Sequence, residues 1–410
     1  MAGPLPIGEP APTDGSLPSS AWQGVQSRTF HAYLHVPFCR VRCGYCDFNT
    51  YTSNELEGFK QSDFASNIAS EIDLASRVMH AGTSSPRPLS TVFFGGGTPT
   101  QLQASELTGA LAKLVETFGI LPEAEVTTEA NPDNVTAEYF ETLVAGGFTR
   151  VSLGMQSAVP EVLKTLDRTH NPANVANAVK LARQFGLQVS VDLIYGAPGE
   201  TFEQWQRTVD EALALETDHI SAYALIVEDG TKMARDIRSG LLEQPDEDLE
   251  ADKYEYADAT FEKAGLGWYE LSNWSTSAKT QSAHNIAYWA GMDWWGFGPG
   301  AHSHVGGVRW WNAKHPTTYS AALNAGNSPA VGREVLNDQT RLEERLLLES
   351  RLRTGLNLEL VRAINPNSAS VISQLIAEQL IDGTSAIAGR LVLTLKGRLL
   401  ADAVVRRILP

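Results

Sequence analysis

From residue 31 the chain alternates short apolar runs with longer segments whose apolar positions recur at helical spacing. The runs at 32–36, 91–94, 125–129, 150–153, 189–194 and 220–225 are rich in Val, Ile, Phe or Tyr. That is the pattern of a strand buried on both faces. Between them, Phe64, Ile68, Ile72 and Ala75 fall on one helical face, as do Leu107, Leu111, Leu114 and Phe118, with Gly119 placed to end the second helix. Thr201 and Gln204 form a capping box ahead of Trp205 and Val209, and Gly186 and Gly265 close two further helices. Six strand–helix units predict a parallel sheet with right-handed crossovers. Six are fewer than the eight of a closed barrel, so the fold class expected is α/β, an open partial (β/α)6 barrel over residues 29–265. Chemistry in such a barrel belongs at the C-terminal ends of the strands.

The pattern changes twice after residue 265. Residues 266–335 are dense in Trp, Gly and His and show weak periodicity, so they read as a connecting region. Residues 336–410 turn helical and charged, with Leu342, Leu346 and Leu352 on one helix, Val371, Leu375 and Leu380 on another, and Leu399, Val404 and Ile408 on a last one. Residues 381–395, with Asp382-Gly383 and Gly389, read as a turn and hairpin. Helix, helix, hairpin, helix predicts a small winged-helix-like α/β domain. The first 28 residues are rich in Pro, Gly, Ser and Ala and are expected to be a flexible tail.

Composition narrows the function. The formal charge of −16 argues against sequence-independent nucleic-acid binding, which needs a basic surface. The winged-helix-like domain is therefore expected to contact protein or cover the barrel mouth. No run reaches the length of a membrane span, about 18 apolar residues, and the N-terminus has no basic stretch followed by an apolar core, so no secretory signal is read. The chain has only three cysteines, all clustered, which excludes a disulfide framework and points to a reducing, cytoplasmic setting.

Those three are Cys39, Cys43 and Cys46, on the loop that directly follows the first strand. Three thiolates on one short loop suit an iron–sulfur cluster. A four-iron cubane needs four ligands, so one iron would stay open. Structural zinc would want a fourth Cys or a nearby His, and none follows closely.

The Cys-x3-Cys-x2-Cys spacing resembles the signature of the radical S-adenosylmethionine (SAM) superfamily, whose fold is the same partial barrel. The resemblance implies a [4Fe–4S] cluster on Cys39, Cys43 and Cys46, with SAM chelating the open iron. It also assigns positions around SAM. Gly96, Gly97 and Thr98, in Phe94-Gly-Gly-Gly-Thr-Pro99, match the glycine motif whose backbone meets the SAM amino group. Glu129, Gln156 and Asp192, on or just after successive strands, suit the ribose hydroxyls and the cationic end of SAM. Arg168 suits its carboxylate through a bidentate pair. Tyr33 and Tyr45 are placed to pack on adenine or methionine, and Ala224 on the sixth strand lines the pocket through its backbone.

Within the superfamily, His35-Val-Pro-Phe-Cys39, Gly95-Gly-Gly-Thr-Pro-Thr100, Ser152-Leu-Gly-Met-Gln-Ser157 and Asp192-Leu-Ile-Tyr-Gly-Ala-Pro-Gly199 are similar to the coproporphyrinogen oxidase group. Its two branches are an oxygen-independent coproporphyrinogen III oxidase and a heme chaperone. The oxidase branch adds a fourth cysteine two positions after the third; here that position is Phe48. The oxidase also has a longer segment before the cluster. The chaperone branch carries His-Asn-x-x-Tyr-Trp, which this chain matches as His284-Asn285-Ile-Ala-Tyr288-Trp289. The resemblance thus implies a protein that binds heme and passes it to an acceptor, with a respiratory protein as the expected acceptor and a reductant such as flavodoxin or ferredoxin for the cluster. The rival expectation is oxidative decarboxylation of coproporphyrinogen III. His284 reads in two ways, as a heme contact or as a hydrogen-bonded structural histidine beside aromatics, and His302 and His304 are secondary candidates.

Overall fold

The computed structural model describes residues 6–56, 58–83 and 85–410. Six parallel strands form where the apolar runs stand: β1 (Phe30–Val36), β2 (Leu89–Gly96), β3 (Ile120–Ala130), β4 (Arg150–Gln156), β5 (Gln188–Tyr195) and β6 (His219–Ala224). They pair in sequence order, each parallel to the next. Helices cross between them, and the expected faces are the ones that pack: Phe64, Ile68, Ile72 and Ala75 are buried, as are Leu107, Leu111, Leu114 and Phe118. Gly119 follows the helix Ala104–Phe118 with φ +75°, a conformation only glycine adopts freely. The Thr201–Gln204 capping box is present.

Residues 266–335 are not a connector. They supply β7 (Gly267–Glu270), β8 (Asn273–Ser275), β9 (Asp293–Phe297), β10 (His302–Val305), β11 (Val308–Asn312) and β12 (Ala330–Val335). β9 lies parallel to β1, and β10–β12 continue from it as an antiparallel meander. On the other flank β8 pairs antiparallel with β6, and β7 with β8. The result is one 12-stranded sheet in the order β12-β11-β10-β9-β1-β2-β3-β4-β5-β6-β8-β7, a parallel barrel-like heart with an extension at each edge.

The N-terminal segment also departs from expectation. Residues 6–28 are laid against the sheet rather than free: Glu9 bridges to Arg333, Ala21 is fully buried, and Arg28 pairs at 2.8 Å with the buried Asp293. Residues 1–5 of the expected tail lie outside the described residues.

The C-terminal residues build a separate small core around Leu346, Val361, Leu375, Leu391, Val404 and Ile408. The expected hairpin is only partly one. Ile381 and Leu393 bridge antiparallel, but the turn between them is a short helix, Gly383–Ile387. Asp382 caps that helix by accepting from the Ser385 N–H at 2.7 Å, which is the helix-starting use of Asp rather than its turn use. The unit is fastened to the barrel by Arg398, which makes a two-pronged pair with Asp258 at 2.6 and 2.8 Å while lying over the Trp268 ring. Among the described residues no helix is long and apolar enough to cross a membrane.

Candidate cofactor cavity

The inward faces of the parallel strands are polar where a packed barrel would be apolar. Alternate residues point the same way along a strand. Thr127 and Glu129 on β3, Ser152, Gly154 and Gln156 on β4, Ser190 and Asp192 on β5, and His219, Ser221 and Tyr223 on β6 all line one cavity of about 640 Å³. The cysteine loop closes its mouth. All fourteen residues expected from sequence are there: Cys39, Cys43, Cys46, Tyr33, Tyr45, Gly96, Gly97, Thr98, Glu129, Gln156, Arg168, Asp192, Ala224 and His284.

The loop is held from three sides. Its base is zipped by Tyr51 N–H to the Pro37 carbonyl and Cys39 N–H to the Tyr51 carbonyl. The glycine turn after β2 donates Gly97 N–H to the Val36 carbonyl and Thr98 N–H to the Phe38 carbonyl, both at 2.8 Å. The tip is fixed by Gly44, which donates to the Leu166 carbonyl and accepts from Met233 N–H. Gly97 is required by proximity. A Cβ there would sit 2.6 Å from the Phe38 carbonyl oxygen and 3.1 Å from Cys39 Sγ.

Thr98 Oγ1 reaches Cys39 Sγ at 3.8 Å and Arg168 Nη1 reaches Cys43 Sγ at 3.6 Å. Burial raises the Cys39 thiol and pushes Cys46 up to about 12, so both hold their protons near neutrality unless a metal displaces them. Among the described residues no three His, Cys, Asp or Glu side chains converge on a single ion.

Gln156 sits at φ +56°, an unusual strain for a non-glycine residue, and Gly154 makes room beside it; a Cβ there would lie 2.8 Å from Gln156 Nε2 and 3.1 Å from Arg168 Nη2. Glu129 accepts from Gly96 N–H at 3.1 Å. Loss of water around it, and then Asp192, raise its carboxyl to about 8. The Ser152 hydroxyl donates to the Asp192 carboxylate, its oxygen 2.9 and 3.1 Å from the two carboxylate oxygens, and Asp192 lies mid-strand, one layer below the rim where Gln156 ends β4. Among the described residues five atoms of cavity-lining side chains are buried without a hydrogen-bond partner: Arg42 Nε, Thr127 Oγ1, Gln156 Oε1, Arg168 Nε and His219 Nδ1. Each such atom costs about 1–3 kcal/mol, which a polar ligand would offset.

His284 belongs to the helix Ala283–Trp289, whose first N–H groups are tied to the Glu125 carboxylate on β3. It is only 3% exposed. Its Nδ1 lies 2.6 Å from Thr91 Oγ1 and its Nε2 3.0 Å from the Tyr288 hydroxyl, with the ring stacked on Phe93. Burial, and then His31, hold its pKa well below the usual histidine value. Both ring nitrogens are thus engaged, and iron could reach Nε2 only if Tyr288 moved. His304 is engaged too, by the Met292 carbonyl and Gly307 N–H.

The profile of the radical SAM superfamily matches residues 33–212. The heme chaperone HemW of Mycobacterium tuberculosis is 46% identical over 381 residues, which cover 93% of this chain and 95% of that protein. The chain belongs to the heme chaperone HemW family. The Bacillus subtilis heme chaperone HemW is 31% identical over 382 residues, 91% of this chain and 97% of that protein. Among solved structures, the coproporphyrinogen III oxidase HemN of Escherichia coli superposes with a TM-score of 0.80, covering 97% of this chain and 94% of that one at 21% identity. That likeness shows a shared fold. Membership in the HemW family, within the radical SAM superfamily, implies SAM and a [4Fe–4S] cluster, and the thiol loop, the glycine turn and the orphaned polar atoms of the cavity fit both.

Sequence reasoning missed the cavity floor, namely Thr127, Arg150, Ser152, Ser190, His219 and Ser221. A signal was present: polar residues at every second position of strands that otherwise read as apolar. It was obscured because each strand is short and its outward face is strongly hydrophobic.

Proposed function

We propose that this chain is a heme chaperone. It would hold a [4Fe–4S] cluster on Cys39, Cys43 and Cys46 and SAM in the same cavity, and it would pass heme to an acceptor protein. The observation that carries this reading is the near full-length identity to the Mycobacterium tuberculosis heme chaperone HemW. Arg168 is suited to the SAM carboxylate, the Gly96–Thr98 turn to its amino group, and Glu129, Gln156 and Asp192 to its remaining polar atoms, with Tyr33, Tyr45 and Ala224 as walls. When bound, the cluster and SAM supply electron transfer to a sulfonium. The protein's share is to orient SAM, shield it and hold the loop still. The reading extends to a cytoplasmic setting, a flavodoxin- or ferredoxin-type reductant and a respiratory acceptor. The rival decarboxylase reading has the fold likeness alone in its favour, and Phe48 stands where that branch carries a fourth cysteine.

The test is a pair of assays on anaerobically reconstituted protein. Hemin should bind and move to an apo-hemoprotein acceptor, while coproporphyrinogen III, given SAM and a reductant, should remain unconverted. Steady turnover of coproporphyrinogen with no transfer of hemin would overturn the reading.

A further inference from the structure

Among the described residues four non-glycine residues have positive φ: Gln156, Asp167, Glu216 and Gln379. The first two line the cofactor cavity. Gln156 is the centre of a three-residue turn at the end of β4, closed by Ser157 N–H donating to the Met155 carbonyl at 2.7 Å. A turn of this size with positive φ is the rare, strained hand. It presents Gln156 to the cavity, where Oε1 has no partner. The outer side of the turn is pinned. The buried Ser157 hydroxyl lies 3.0 Å from the Thr208 hydroxyl, and Thr208 Oγ1 accepts from Ala158 N–H at 3.2 Å.

Asp167 follows the helix Pro160–Thr165 in the left-handed conformation. Arg168 N–H donates to the Leu163 carbonyl at 2.8 Å and Asp167 N–H to the Lys164 carbonyl at 3.1 Å. This Schellman pairing turns the chain sharply. Arg168 then lines the cavity, and His170 is buried behind it. Just beyond, the Asp133 carboxylate accepts from Asn171 N–H at 3.3 Å and from the Asn174 amide at 2.9 Å. The backbone is therefore fixed on both sides of His170.

His170 is 4% exposed. Among the described residues it is the one histidine with both ring nitrogens buried and without a hydrogen-bond partner. The Met155 carbonyl lies beside the ring, close enough to favour its protonated form but not in line for a full hydrogen bond. Burial, and then the Arg168 cation, lower its pKa to about 4, so the ring is neutral near pH 7 and carries one N–H. An apolar side chain would fill the same space without leaving two buried polar atoms unpaired, so the imidazole calls for a reason. The Met155 carbonyl supplies it. A carbonyl oxygen has two lone pairs, and an imidazole N–H can join Ser157 N–H on it.

We propose that His170 is a positioning residue for SAM: from behind the cavity wall its imidazole N–H braces the Met155 carbonyl, which holds the strained turn and keeps the Gln156 amide aimed at SAM. The role rests on the reading that SAM occupies this cavity, and it adds a residue outside the cavity lining.

Calorimetry of SAM binding to full-length, cluster-loaded protein tests it. His170→Leu keeps most of the volume and removes the donor. SAM affinity should fall about tenfold, while iron content and denaturation midpoint stay at wild-type values. His170→Gln, whose amide N–H can reach the same carbonyl, should bind SAM within about threefold of wild type. In a Gln156→Ala background His170→Leu should cost nothing further, because both changes act through one side chain. Wild-type SAM affinity in folded His170→Leu would overturn the role. So would a loss in His170→Leu that is undiminished on top of Gln156→Ala, or a tenfold loss in folded His170→Gln. Should His170→Leu not fold, His170→Gln carries the test by the same criterion. Cluster-loaded wild-type protein that binds no SAM would instead overturn the reading of the cavity, and this role with it.

Discussion

Single side chains set the chemistry of the cofactor cavity, and three of them make separable predictions. Cys43→Ser should lose cluster iron and sulfide on anaerobic reconstitution, because a hydroxyl is a poor substitute for thiolate at iron; full iron content in that variant would contradict the assignment. Arg168→Ala should weaken SAM binding by about 1.5–3 kcal/mol, roughly ten- to a hundredfold, as read by calorimetry. Glu129 gives a pH signature. Its carboxyl, raised to about 8, is neutral at pH 7, whereas cationic SAM favours the ionised form. Binding should therefore release a proton. SAM affinity should rise as pH climbs from about 6.5 to 8, by at most roughly tenfold per unit, and level off above. Glu129→Gln should flatten that rise, and an unchanged slope would place the proton elsewhere. Most of these residues were legible in the sequence because each falls in a dense motif. His284 was legible as a motif residue but not as one with both nitrogens bonded, since Thr91 is far away in the chain and Tyr288 is one helical turn on.

At the level of elements, the cysteine loop works because the glycine turn after β2, Leu166 and Met233 hold it and its base through backbone hydrogen bonds, with the Arg168 side chain reaching Cys43 Sγ. Gly97→Ala places a Cβ against the Phe38 and Val36 carbonyl oxygens. The loop must then shift, and cluster content should fall while the secondary structure measured by circular dichroism is kept; full cluster loading would show that the loop tolerates the shift. The six parallel strands and their helices could be read from apolar runs and 3.6-residue faces. The strands β7–β12 could not. They are short, flank an existing sheet, and are built from Trp, Gly and His, so neither a period of two nor one of 3.6 stands out. The helix Gly383–Ile387 was hidden by the double meaning of Asp-Gly, which fits a turn as well as a cap.

Over the whole molecule, the C-terminal unit and the N-terminal segment are bound to the barrel by buried charge. Asp258 receives Arg398 and the Trp274 indole N–H. Arg398→Met strands that carboxylate and should cost about 3–5 kcal/mol, seen as a lower denaturation midpoint and faster proteolysis between barrel and C-terminal unit; an unchanged midpoint would mean the pair does not hold the two together. The helix Asp338–Glu349 of that unit also lines a second cavity beside the first, of about 1030 Å³, so its docking shapes that space. Docking of residues 6–28 was not legible, because Pro-, Gly- and Ser-rich composition describes an unpartnered chain and says nothing of an available sheet edge.

The central claim is that three thiolates hold a cubane whose remaining iron is open to SAM within this cavity. Electron paramagnetic resonance of the anaerobically reconstituted, dithionite-reduced protein tests it directly. The account predicts a [4Fe–4S]+ signal whose g-values change when SAM is added. A reduced protein with no such signal, or a signal that SAM leaves untouched, would contradict it.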